Sequence, residues 1–172
     1  MNKYIIFLRG INVGGNKKVP MKQLSDCLFK AGFVNVKTHN NTGNVYLESV
    51  VQILDQVRNE TEVLFKKEFG FEILVVVRKF EDVEKIITEN VFDGTYFGKY
   101  KVPYVSFLYK PSMCKFKEEQ VVKQTETEIC WVHEKGGHDS PFEKSFEAKI
   151  GGIVTTRTWN TVSKCVEMGK NN

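Results

Sequence analysis

Two hydrophobic periods alternate along the first half of this chain. Residues 3–8, KYIIFL, form a short apolar run ending at Arg9 and Gly10, the pattern of a buried strand. From Met21 the apolar positions Leu24, Cys27, Leu28 and Ala31 recur at helical spacing, with Pro20 suited to the first turn and Gly32 to the C-terminal cap. Residues 33–37 and 45–47 predict two further strands, separated by the turn-rich THNNTGN. A longer amphipathic helix is predicted over 52–69 through Ile53, Val57, Val63, Leu64 and Phe65, stopped by Gly70, before an almost wholly apolar strand at 71–77.

Strand-helix-strand-strand-helix-strand is the split βαβ order of ferredoxin-like folds, which predicts a sheet ordered 4-1-3-2 with both helices on one face. The first and fourth strands are apolar on both faces: Tyr4, Ile6 and Leu8 oppose Ile5 and Phe7, and Ile73, Val75 and Val77 oppose Leu74 and Val76. Such strands are covered on both sides, so the second half of the chain is expected to pack on the open face. That half predicts helices at 80–87, 142–150 and 160–168, the last with Thr158 as N-cap, and strands at 104–109 and 129–132. No internal repeat aligns between the halves. The expected fold is α+β, with a ferredoxin-like subdomain at 1–79 and a second α+β subdomain at 80–172 sharing its core.

Composition narrows the class. A hydrophobic fraction of 41% and a charged fraction of 27% fit a globular domain, and a net charge of +4 falls short of a dedicated polyanion binder. No apolar stretch is long enough to span a bilayer, and MNKYIIFLRG lacks the apolar core and cleavage site of a signal peptide, which points to a cytoplasmic protein. Cys27, Cys114, Cys130 and Cys165 are widely spaced with no CxxC pair, as expected of structural thiols rather than a zinc or disulfide framework.

The stretch RGINVGGNKKVP, residues 9–20, concentrates glycine, asparagine and positive charge between the first strand and first helix. A helix N-terminus with free N–H groups favours an anion, and glycines let the backbone wrap around it. The split βαβ order also places the THNNTGN turn on the same sheet edge. Arg9, Asn12, Gly14, Gly15, Lys17 and Asn44 are therefore the candidate ligand-binding residues, with Lys18 adding charge. The G-x-x-x-G-G spacing matches neither the dinucleotide fingerprint nor the P-loop, so the loop implies no particular nucleotide and no cofactor. The competing account is a tight glycine turn with solvated lysines.

Elsewhere the chemistry is sparse. The HEKGGHD stretch, with His133 and His138, lacks helical metal-ligand spacing and is expected to be a turn, so no metal is expected. His39 lies near the proposed pocket as a candidate general base, although such a residue more often bonds a turn. Ser140 lacks a nucleophile elbow. EEQVVKQTETE is expected to be a solvated helix face, and the aromatics of YFGKYKVPY to cover the core rather than stack bases. The expected partner is a phosphate-bearing small molecule, without a membrane. A nucleic-acid binder, or an enzyme acting on a phosphorylated or carboxylate substrate, are the alternatives.

LRGINVGG with VPM, the TGNV turn at 42–45, FGF at 69–71 with VVVR at 75–78, and TRTWNTV at 156–162 together resemble the bacterial domain-of-unknown-function family 1697. The resemblance implies two α+β halves, the first ferredoxin-like, and brings no activity. The family's R-S-K-L stretch is missing from HDSPFEKSF, and Thr158 stands where the family commonly has Asn. Arg157 and Asn160 are motif positions, and the resemblance makes them candidates for a far wall of the ligand pocket.

Overall fold

A computed structural model describes residues 1–15, 17–92, 94–96, 101–117, 119–134 and 141–170. The chain divides into two compact units, Met1–Lys85 with Lys164–Asn172, and Ile86–Ser163. Among the described residues no helix is long and apolar enough to cross a membrane.

In the first unit β1 (Asn2–Leu8), α1 (Met21–Lys30), β2 (Val34–His39), β3 (Asn44–Ser49), α2 (Leu54–Phe69) and β4 (Val75–Lys79) form an antiparallel sheet ordered β2-β3-β1-β4. This is the split βαβ order. Helix α1 ends because Gly32 adopts φ +93, letting its N–H reach the Phe29 carbonyl and the Phe33 N–H reach that of Leu28. That pairing closes the helix as a Schellman motif, with Phe33 and Leu28 both buried. Leu24, Cys27 and Leu28 of α1 and Val57 and Phe65 of α2 pack on one sheet face against Tyr4, Ile6, Leu8, Val45, Leu47, Val75 and Val77.

Ile5 and Phe7 on the opposite face are also fully buried, as their apolar character requires. Part of that cover comes from α3 (Phe80–Glu89) and α5 (Trp159–Lys170). The Phe80 ring meets Tyr46 edge-on at 5.9 Å, and Lys37 Nζ donates to the Met168 carbonyl at 2.9 Å. The Gly169 Cα lies so close to both rings that a Cβ would stand 2.7 Å from Tyr46.

The second unit carries β5 (Lys101–Leu108), β6 (Val121–Gln124), β7 (Glu128–Glu134), α4 (Pro141–Ile150) and β8 (Val154–Thr158), with an antiparallel sheet ordered β6-β7-β5-β8. Its core joins Leu108, Ile129, Trp131, Phe146 and Val154, with Tyr104 and Phe116 packed against them. The Trp131 indole stacks on Tyr104 at 4.9 Å and donates to Ser106 Oγ at 2.8 Å. Tyr104 thus covers the core, whereas residues 97–100 of YFGKYKVPY lie outside the described residues. Thr158 caps α5, its Oγ1 accepting the Thr161 N–H at 3.3 Å.

The two sheets share one strand order, and the resemblance extends to register. β1 reads YIIFL over 4–8 where β5 reads YVSFL over 104–108, and β4 reads VVVR over 75–78 where β8 reads VTTR over 154–157. Ile5 pairs with Arg78 as Val105 pairs with Arg157, and Leu8 with Val75 as Leu108 with Val154. The Arg9 N–H donates to the Leu74 carbonyl as the Tyr109 N–H does to that of Ile153. A helix glutamate accepts the first N–H of the edge strand in each: Glu62 for Val75 and Glu147 for Val154. Each edge-strand arginine turns Nη1 onto the carbonyl before it, Val77 or Thr156. An internal repeat is therefore present, contrary to expectation. It escapes alignment because the shared side chains are few and because residues 111–117, between β5 and β6, form no helix where the first unit has α1.

Three boundaries differ from expectation for local reasons. The described part of EEQVVKQTETE, residues 119–128, holds no helix: β6 and the start of β7 flank a tight turn whose Thr125 and Thr127 hydroxyls both donate to the Glu128 carboxylate, at 2.8 and 2.7 Å. β4 begins at Val75 rather than 71, because after the left-handed Gly70 (φ +79) Phe71 turns back onto Phe69, ring to ring at 6.3 Å. β8 was not expected, its threonines masking the alternation that marks a strand.

Candidate functional site

The β1–α1 loop crosses the left-handed region repeatedly, at Gly10, Asn12, Gly14, Gly15 and Lys17. Asn12 (φ +55) tolerates this because its side chain organises the loop. Its Oδ1 accepts the Val19 N–H at 2.8 Å, and its Nδ2 donates to the Val19 carbonyl at 3.0 Å and to the Asn41 carbonyl at 2.7 Å. The last bond ties the loop to the THNNTGN turn, so the two glycine-rich segments are neighbours as the topology predicts. A second tie runs from the Leu8 N–H to the Gly43 carbonyl at 2.8 Å. Gly43 is required there: φ is +73, and a Cβ would stand 2.6 Å from Leu8 Cβ and 2.9 Å from Ile11 Cδ1.

Between these segments and the start of α1 lies a cavity of about 430 Å³, walled by Asn12, Gly15, Lys18, Val19, Pro20, Met21 and Asn41. Pro20 is the N-cap and supplies no side-chain acceptor to the first turn, and no acidic residue stands in that turn. The helix therefore begins at the cavity wall, at Met21, with no acidic side chain of its own first turn to neutralise the positive end of its dipole.

The candidate residues divide around this cavity. Asn12 and Gly15 line it; Arg9, Gly14, Lys17 and Asn44 do not stand among its walls. Lys17 reaches away, its Nζ donating to the Glu72 carbonyl at 3.1 Å and lying 5.8 Å from the centre of the Phe71 ring. The Glu72 carboxyl is held below its ordinary value, chiefly by its bond to Lys66, with a smaller pull from Lys17. Asn44 is fully buried opposite Phe7, and its Nδ2 donates to the His39 carbonyl at 3.0 Å and to Thr42 Oγ1 at 2.9 Å. It braces the turn from within. Arg9 is half-buried at the end of β1.

Arg157 and Asn160 belong to the other unit. Arg157 donates to Thr155 Oγ1 at 2.9 Å and to the Thr156 carbonyl at 2.8 Å, while Asn160 is exposed in the first turn of α5. Asn41, Val19, Pro20 and Met21 are the walls that sequence reasoning did not single out. The signal for Asn41 was available, since it lies in the turn that strand order brings beside the loop.

His39 is half-buried at the end of β2, and His133 meets Trp131 edge-on at 6.2 Å. His138 and the rest of KGGHDS lie outside the described residues. Among the described residues no three His, Cys, Asp or Glu side chains gather as a metal site.

Comparison with known proteins reaches the same frame. A family model described as a protein of unknown function, DUF1697, matches residues 1–136. That span holds the loop, the TGNV turn and VVVR, and stops short of the TRTWNTV block. A solved structure, that of the conserved bacterial protein SP0830 from Streptococcus pneumoniae, aligns over 97% of this chain and 98% of its own with a TM-score of 0.64. At 22% identity the likeness is one of fold. No curated protein matches the chain. Motifs, strand order and the family model converge on one assignment: the chain belongs to the DUF1697 family of proteins of unknown function.

Proposed function

We propose that this chain is a cytoplasmic binding module for a phosphate-bearing small molecule, taken up at the N-terminus of α1. The observation that carries the proposal is the union of three features at one place: a helix start without an acidic first turn, a lysine, and a cavity of about 430 Å³. A volume of that order suits a small ligand, since such pockets run from about 300 to 1,000 Å³. In this scheme the first-turn N–H groups and Lys18 take the phosphate, Asn41 offers a polar edge, and Val19, Pro20 and Met21 cover the apolar part of the ligand. Four thiols without a disulfide fit a reducing compartment.

The test is thermal unfolding of the wild type and Lys18→Ala against inorganic phosphate, sugar phosphates, nucleotides and short oligonucleotides. A ligand at a hundred times its Kd adds about 2.7 kcal/mol, roughly 5–10 °C in Tm for a chain of this size. A shift with one phosphate compound, reduced in Lys18→Ala, supports the proposal. A shift with oligonucleotides alone that fades with salt transfers the assignment to nucleic acid, because counterion release makes such binding salt-dependent. No shift with any member refutes it.

A further inference from the structure

Residues 111–117 occupy the chain position that α1 occupies in the repeated frame, yet they form no regular element. Their burial alternates, with Ser112, Cys114 and Phe116 half-buried and Pro111, Met113, Lys115 and Lys117 exposed. Helix α1 holds its sheet with three buried side chains, Leu24, Cys27 and Leu28. This segment instead lays Phe116 edge-on against Phe146 at 4.8 Å, beneath Lys149 Nζ at 5.4 Å.

Two of its hydrogen bonds meet on one side chain. Gln124, the last residue of the edge strand β6, accepts the Phe116 N–H at 2.8 Å through Oε1 and donates through Nε2 to the Cys114 carbonyl at 2.9 Å. Below this clasp the Cys114 N–H bonds to Ser112 Oγ at 3.2 Å and the Ser112 N–H to the Glu126 carbonyl at 2.8 Å. A segment held by a side-chain clasp, one backbone bond at Ser112 and one ring, rather than by a backbone ladder, opens at much lower free energy than the sheet beneath it.

We propose that residues 111–117 are a strap over the aromatic core of the second unit, opening independently of that unit with Gln124 as its latch. Opening lifts Phe116 from Phe146 and bares the flank of the Trp131 cluster, which Phe146 also meets at 5.7 Å. It also displaces Pro111 and Ser112 from a cavity of about 440 Å³ that they wall with Tyr109, Lys110 and residues 150–153. The strap therefore controls both the shape of that cavity and the exposure of the aromatic cluster.

Native-state hydrogen exchange on the full chain tests this, with the Leu108 amide, at the end of β5 and bonded to the Thr127 carbonyl, as the reference. The Phe116 and Cys114 amides are expected to exchange by a route insensitive to low denaturant, while Leu108 exchanges with the denaturant slope of unfolding. Gln124→Ala is expected to speed Phe116 and Cys114 by about tenfold with Leu108 unchanged, the effect of losing a two-bond clasp. Gln124→Glu, which keeps the acceptor for Phe116 and loses the donor to Cys114, should fall between. Equal rates and equal denaturant slopes for Phe116 and Leu108 in the wild type would overturn the proposal. So would a Gln124→Ala variant that speeds all three amides alike.

Discussion

Replacing Gly43 by alanine separates two reasons for a glycine that usually coincide. The first is conformational: φ is +73, and an L-residue held in the left-handed region costs roughly 1–2 kcal/mol. The second is proximity. The new methyl would stand 2.6 Å from Leu8 Cβ and 2.9 Å from Ile11 Cδ1. Ile11 can rotate its tip away, but Leu8 Cβ is fixed by β1, which pairs on both sides. Overpacking of this kind costs about 1–3 kcal/mol, so the total is roughly 2–5 kcal/mol. Gly14 supplies the control. Its φ is +61, but a Cβ there meets nothing within 4 Å, so Gly14→Ala carries the conformational cost alone. Urea unfolding followed by far-UV circular dichroism should place the Gly43→Ala midpoint about 1–2 M below wild type, and Gly14→Ala by less than half of that. Both tryptophans, Trp131 and Trp159, lie in the second unit, so a parallel fluorescence curve shows which unit has lost stability. Equal midpoints for the two variants would refute the close-approach account of the TGN turn.

Gly169→Ala places a methyl against Phe80 and 2.7 Å from Tyr46 without leaving helical geometry. It should lower stability by about 1–3 kcal/mol despite alanine's better helix propensity, read as a drop in Tm. Alkaline pH provides a separate check, because burial, with a smaller push from Glu128, drives the Cys130 thiol from 9.0 up to about 12. The folded chain keeps this proton where the unfolded chain releases it, so stability is intact below pH 9 and falls as pH rises toward about 12. Urea midpoints measured from pH 8 upward should show the decline, and Cys130→Ala should lessen it, leaving the share of Cys27, whose thiol burial lifts to about 11.

The first unit was legible because its signals are local and consistent. An apolar run, a helical period ended by Gly32 and a TGN turn each specify one element, and their order leaves one common sheet. The adjacency of the loop and the turn followed from strand order alone. What sequence concealed was how side chains are spent. Asn44 and Asn12 look alike as polar donors beside glycines, yet Asn44 is enclosed by its own turn while Asn12 closes the loop at the cavity rim. Lys17 and Lys18 are adjacent and identical in kind, and only the fold sends one to Glu72 and the other to the cavity wall. The second unit was harder because threonine and glutamate dilute its patterns. Thr125 and Thr127 absorb the charge of Glu128, so a segment that reads as a solvated helix becomes a hairpin.

The first unit begins at Met1 but is completed by residues from Lys164 onward. Synthesis runs from the N-terminus, and domains generally fold as units while the chain emerges. Here the sheet can form early, but Tyr46 and Phe80 wait for Gly169, and Lys37 waits for the Met168 carbonyl. Residues 1–85 therefore keep one face unfinished until residues 164–170 have been made. A break in the chain before Lys164 does its damage in the unit built from residues 1–85.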